Sequence, residues 1–206
     1  MDIVFPYHHI FIIMRIYAFD FDGTLTTKDT LIEFFRYAKG NLSFLIGFII
    51  YAPILILMKL CLYPNWKAKQ QLFSYFFKGM DIKQFDMICK RFATEHRELL
   101  RKKGVDTIKD CLKRNDKVLI VSASIDNWIS PFFEGLDVQI LGTKIEIENG
   151  ILTGRFLTDN CYGQEKVNRI IGQYPNRNEY QLIAYGDSRG DKELLEYADK
   201  GYYRPF

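Results

Sequence analysis

The chain has 206 residues, a formal net charge of +3, 48% hydrophobic and 26% charged residues. That length holds one good-sized core and a smaller appended lobe, and the charge lacks the basic excess that suits nucleic acid. Four scattered cysteines (Cys61, Cys89, Cys111, Cys161) have no CxxC or paired spacing and suit a reducing, cytoplasmic compartment. His8, His9 and His96 share no metal-ligand spacing.

Residues 1–13 are apolar and aromatic, without lysine or arginine, and lack the basic start and cleavage site of a signal peptide. Ile16 to Phe19 reads as a buried strand, the first of five predicted near 15–20, 117–122, 137–142, 181–186 and 200–204. Helices alternate with them, which predicts an α/β fold on a parallel sheet. A long helical insertion, 29–104, follows the first strand. Its first helix opens on a capping box, Thr30-Leu31-Ile32-Glu33, and stops at Gly40. A second runs from Asn65 or Trp66 to Gly79. The third starts at Asp81 and aligns Ile82, Phe85, Ile88, Phe92, His96 and Leu99 on one face. Arg101-Lys102-Lys103-Gly104 reads as its cationic, glycine-capped end. Downstream, Lys144 to Phe156 predicts a hairpin turned at Asn149-Gly150, and a helix is predicted over 164–172.

Within the insertion, Leu42 to Met58 carries no charge, and only Lys59 interrupts the run through Tyr63. A straight helix of that length spans roughly 26 Å, just short of a roughly 30 Å hydrocarbon core. Gly47 and Pro53 argue against one straight rod. Three readings stay open: a pair of buried helices, an interfacial or re-entrant element dipping into a bilayer, or a full span.

The chemistry is concentrated in Asp20-Phe21-Asp22-Gly23-Thr24-Leu25-Thr26. On an extended backbone i and i+2 share a side, so both carboxylates can address one substrate group. Two close acids titrate apart unless a cation holds both ionised. Three further pieces follow in order: Val118 to Ser124, a strand ending in the hydroxyl of Ser122; Gly163-Gln164-Glu165-Lys166, a lysine in a first helical turn; and Ala184-Tyr185-Gly186-Asp187-Ser188-Arg189-Gly190-Asp191.

Together these pieces resemble the signature of the haloacid-dehalogenase-like hydrolase superfamily, from Arg15 onward. The resemblance implies a Rossmann-like core (14–28 and 105–206) with a helical cap (29–104) over the site. Within it Met14 is a natural start, with residues 1–13 a dispensable extension. It implies Asp20 as nucleophile, forming an aspartyl-phosphate, and Asp22 as general acid and then base. Ser122 and Lys166 would bind the phosphoryl group, beside Ala123, Gly23 and Thr24. Mg²⁺ would be held by Asp20, the carbonyl of Asp22, Asp187 and, directly or at one remove, Asp191. The acid at position 22 points to phosphatase or phosphotransferase chemistry.

The cap position is similar to the subfamily IB, phosphoserine-phosphatase-like branch. Ala123-Ser124 stands where phosphoserine phosphatase has two glycines, and Asp29 where its cap uses a glutamate for the substrate ammonium. An apolar cap is also a poor receptor for a zwitterion. The fourth motif (Asp187-Ser188-x-x-Asp191-x-x-Leu194-Leu195), the third motif (Gly163-x-Glu165-Lys166-Val167) and the greasy cap look more like phosphatidylglycerophosphatase C-type members. The expected substrate is a small-molecule or lipid phosphomonoester, here a membrane lipid phosphate met through 42–63 at the inner face of the membrane. Phosphoserine-type and phosphotransferase activities are the alternatives.

Overall fold

The computed structural model describes residues 14–206, so the reading of 1–13 as an extension lies outside it. Five strands form a sheet in the order β3-β2-β1-β6-β7: β1 Met14–Phe19, β2 Lys117–Ile125, β3 Gln139–Thr143, β6 Tyr180–Gly186 and β7 Lys200–Tyr203. Every pairing in it is parallel. This is the predicted α/β class. Alternation along β1 feeds two packed faces. Ile16 and Ala18 meet Leu119, Val121, Leu182 and helices α6 (Gln164–Gln173) and α7 (Lys192–Tyr197), through Ile170 and Leu194. Phe19 joins the opposite core, with Val118 and Ile120. The predicted hairpin is β4 (Ile145–Glu148) and β5 (Ile151–Phe156), with Asn149 at φ 50° and Gly150 at φ 80° in the turn.

Helices α1 (Thr30–Lys59), α2 (Asn65–Phe77), α3 (Ile82–Glu95) and α4 (Lys102–Lys113) lie between β1 and β2 in sequence. Phenylalanines bind the first three together. Phe34 stacks on Trp128 of the short helix α5 (Asp126–Ile129) at 4.9 Å between ring centres, and meets Phe92 edge-on at 5.3 Å. Phe35 meets Phe76 and Phe77 edge-on at 5.4 and 5.2 Å. Edge-to-face and offset pairs at these separations are the preferred aromatic geometries. The predicted α3 stripe holds in part: Asp81 caps the helix and Phe85 and Phe92 are buried, but Ile82 and Ile88 are only half-buried, Cys89 is buried with them, and His96 and Leu99 lie past its end at Glu95.

Two helix ends differ from expectation. Asp29, not Thr30, caps α1, accepting the N–H of Leu31 at 2.9 Å. Glu33 reaches Lys28 instead of closing a capping box. The cations at 101–103 do not end α3, which stops at Glu95; they open α4. Gly104 is no cap. It is buried inside α4, where a Cβ would stand 2.7 Å from Leu25.

Gly40 does interrupt the first helix, at φ 77° and ψ 160°, but the chain resumes as a helix to Lys59. In this second limb, 41–59, only Gly47 is buried, packed on Phe76, where a Cβ would lie 2.3 Å from the ring. Leu42, Leu45, Ile46, Ile49, Ile50, Ile56 and Leu57 are exposed. Of the three readings, the pair of buried helices does not hold for this segment: the limb packs on α2 through Gly47 against Phe76 and Tyr51 against Tyr75, while the residues just named stay exposed. Among the described residues α1 is the one helix long and apolar enough to cross a membrane, by length and composition alone.

Candidate active site

The site lies at the carboxyl ends of β1, β2 and β6, where parallel α/β sheets open a crevice. β1 is flanked by β2 on one side and β6 on the other. The three strand ends therefore bring Asp20, Ser122 and Asp187 to one cavity of about 180 Å³, which Asp22, Ala123, Ser124 and Lys166 also line.

Lys166, from the first turn of α6, is 2% exposed. Its Nζ donates to Asp20 Oδ1 at 2.6 Å and to Asp191 Oδ1 at 2.5 Å. Burial alone would lower its pKa, but the two carboxylates outweigh that and raise it, so the amine stays charged. Burial pushes Asp20 up to about 7, against the pull of Lys166 and with a further push from Asp191. Burial also raises Asp191, yet Lys166 and Ser188 more than offset it, and its pKa falls. Asp187 is raised by burial and then by Asp191.

Asp191 has little left to offer a ligand. It is fully buried, and its Oδ2 accepts the N–H groups of Asp187 and Ser188 and the Ser188 hydroxyl. Asp20 Oδ2 accepts no hydrogen bond among the described residues. Asp187 accepts one, from the Thr24 hydroxyl at 3.3 Å. Carboxylate oxygens of Asp20, Asp187 and Asp191 lie within 4.8 Å of one another. A hard divalent cation fits such an oxygen cluster, with Asp20 and Asp187 holding the spare lone pairs.

Asp22 stands apart from this cluster. Its Oδ1 accepts the N–H and hydroxyl of Thr30 at 2.7 and 2.6 Å, and its Oδ2 accepts the Ser124 hydroxyl at 2.5 Å. Gly23 and Thr24 are beside Asp187 and not on the cavity wall. Gly23 has φ 84°, and a Cβ on it would lie 2.5 Å from Asp187 Oδ2, so the carboxylate's approach requires glycine.

Asp29, Asn65 and Lys69 complete the wall on the inserted side. The last two went unnoticed in the sequence, where a lone lysine on an amphipathic helix carries no signal. Their presence corrects the expectation of an apolar receptor. The greasy limb is outside the cavity, and the wall that meets a bound molecule is polar and charged.

A parallel, Rossmann-like sheet whose central strand ends in a buried carboxylate, Asp20, paired with a buried lysine, Lys166, is the α/β arrangement of the site. Comparison with known proteins identifies the family. The haloacid dehalogenase-like hydrolase model matches residues 17–196. Protein CicA of Caulobacter vibrioides is 34% identical over 193 residues, 92% of this chain and 85% of that one. The chain therefore belongs to the haloacid dehalogenase-like hydrolases and is an enzyme of that family. Among solved structures, a protein of unknown function from Bordetella pertussis aligns with TM-score 0.77 at 19% identity, over 92% of this chain and 89% of its own. A phosphoserine phosphatase with a phospho-aspartyl intermediate analogue aligns with TM-score 0.57 at 20% identity, over 92% and 85%. At these identities the likeness is one of fold.

Proposed function

We propose that this hydrolase is a Mg²⁺-dependent phosphomonoesterase that works through an aspartyl-phosphate on Asp20 and takes a lipid phosphate at a membrane surface, as phosphatidylglycerophosphatase C-type enzymes would. The carrying observation is that Lys166, paired with Asp20 and with the buried Asp191 behind it, lines one cavity with Asp20, Asp22 and Ser122. Asp20 attacks phosphorus as the bond to the leaving oxygen breaks, and Asp22 gives that oxygen a proton. Asp22 then takes a proton from the water that cleaves the acyl phosphate. Lys166 and the Ser122 hydroxyl offset charge on the phosphoryl oxygens. Asp20, Asp187 and the Asp22 carbonyl would hold Mg²⁺, whose chemistry when bound is to neutralise charge on the transferring group.

The exposed limb 41–59 supports the lipid reading. An apolar face of this size in water marks an interaction surface, and its C-terminal end leads through 60–64 into α2, which carries Asn65 and Lys69. On this reading the protein works at the inner face of the membrane. A second reading, a soluble substrate with a zwitterionic leaving group, is favoured by Asp29 and Lys69 facing one cavity. Purified protein with Mg²⁺ should release phosphate from dispersed phosphatidylglycerophosphate faster than from phosphoserine. EDTA or Asp20→Asn should abolish both activities. Replacing Ile46, Ile49 and Ile50 by lysine should leave turnover of a soluble phosphomonoester intact and stop flotation with liposomes. Faster phosphoserine turnover, with no flotation of the unmodified protein, overturns the lipid assignment.

A further inference from the structure

The hydrogen bonds around Asp22 distinguish its two oxygens. Oδ1 has both lone pairs engaged, by the N–H and the hydroxyl of Thr30, the first residue of α1. Oδ2 accepts a single bond, from the Ser124 hydroxyl, and keeps one lone pair free. Ser124 is 3% exposed. Its hydroxyl is aimed by the end of β2, where its own N–H donates to Ser122 Oγ at 3.0 Å. One residue thus touches both Asp22 and Ser122. No other described side chain contacts Oδ2 in this way, and a glycine here would leave that oxygen without a protein partner.

We propose that Ser124 is a positioning residue for proton transfer, fixing Asp22 so that the transferable proton rides on Oδ2. This rests on the phosphatase reading above. In the first half-reaction the Asp20–phosphorus bond forms, the phosphorus–oxygen bond to the leaving group breaks, and the Oδ2 proton passes to that oxygen. In the second, water attacks phosphorus, the Asp20–phosphorus bond breaks, and Oδ2 recovers a proton from the water. In this role Ser124 acts through Asp22, by denying the carboxyl its other rotations about the Cβ–Cγ bond.

The signature of such a role is dependence on the leaving group. An alkyl phosphate needs its departing oxygen protonated, whereas p-nitrophenolate leaves readily without help. The test measures kcat/KM, which covers steps up to the aspartyl-phosphate, for glycerol phosphate and p-nitrophenyl phosphate with Mg²⁺. Ser124→Ala and Ser124→Gly should each lower the glycerol phosphate value ~10- to 100-fold, a fraction of the 10²–10⁴ that general acid catalysis supplies. The p-nitrophenyl phosphate value should fall less than ~3-fold, and Ser124→Thr, which keeps the hydroxyl, should restore most of the alkyl-substrate rate. Equal losses on both substrates, or no loss on either, overturn the proposal while leaving the phosphatase reading intact. Indifference of both substrates to Asp20→Asn would instead remove the reading on which it stands.

Discussion

Lys166→Met is the most informative perturbation of the centre. Methionine fills much the same space but removes the one cation that Asp20 and Asp191 share, at 2.6 and 2.5 Å, in a spot with 2% exposure. Breaking a buried ion pair by deleting one partner costs about 3–5 kcal/mol, because the survivors stay buried and uncompensated. For a chain of this length each kcal/mol shifts Tm by roughly 2–4 °C, so a fall of about 6–20 °C is expected at pH 8 without added metal. The loss should shrink at lower pH, and the sign follows from Asp20. Its pKa is already raised to about 7, and removing the lysine raises it further. A raised carboxylate binds its proton more tightly in the folded state, so it favours folding at low pH, and that benefit disappears as pH rises through its folded pKa. At pH 5 Asp20 of the variant carries a proton and no longer repels Asp191. Paired thermal melts and urea titrations at pH 5 and 8 measure the difference. A loss below about 1 kcal/mol at pH 8, or one independent of pH, would refute the account of Lys166 as a buried charge clamp.

Two further expectations concern stability. Asp126 is pushed up to about 6 by burial, against Lys144 and the Gly142 N–H; the unmodified protein should lose about 1–2 kcal/mol between pH 4 and 7.5 that Asp126→Asn does not, a figure reduced for partial exposure. Urea midpoints of the two proteins across that range check it, and parallel curves would count against it. Gly47→Ala should destabilise by about 1–2 kcal/mol despite alanine's better helix propensity, since the new methyl meets Phe76 at 2.3 Å. Gly172→Ala, in α6 with no atom within 4 Å, should stabilise by about 0.5–1 kcal/mol; equal effects at the two sites would contradict the packing argument.

Local signals carried most of the fold. Apolar runs ending in Asp20, Ser122 and Asp187 marked three adjacent parallel strands, and Asn149-Gly150 marked the hairpin, because strand alternation and turn chemistry depend on near neighbours. What failed depended on distant partners. Gly104 looked like a helix cap because nothing near it in sequence reveals that Leu25 presses on it. Thr30 looked like a cap because its bond to Asp22 crosses from the insertion to the end of β1. The run Leu42 to Met58 has the same composition whether covered or bare; only the width of its contact with α2 decides. Ser124 was visible as a departure from glycine, but its 2.5 Å bond to a residue 102 positions away was not.

The order of the strands also bears on how the molecule comes into being. Among the described residues β1 is the first strand made and the middle one placed, with β2 roughly a hundred residues later and β6 later still. Loop closure over such separations is slow, so until Tyr180–Gly186 leaves the ribosome the founding strand has one bare edge and the cluster of acids lacks Asp187 and Asp191. The acid cluster is thus assembled only after residues 180–191 have been made. A nascent chain halted short of that point keeps the β6-facing edge of β1 open, a template for aggregation, and one strand, Tyr180–Gly186, both seals that edge and brings in the missing carboxylates that follow it.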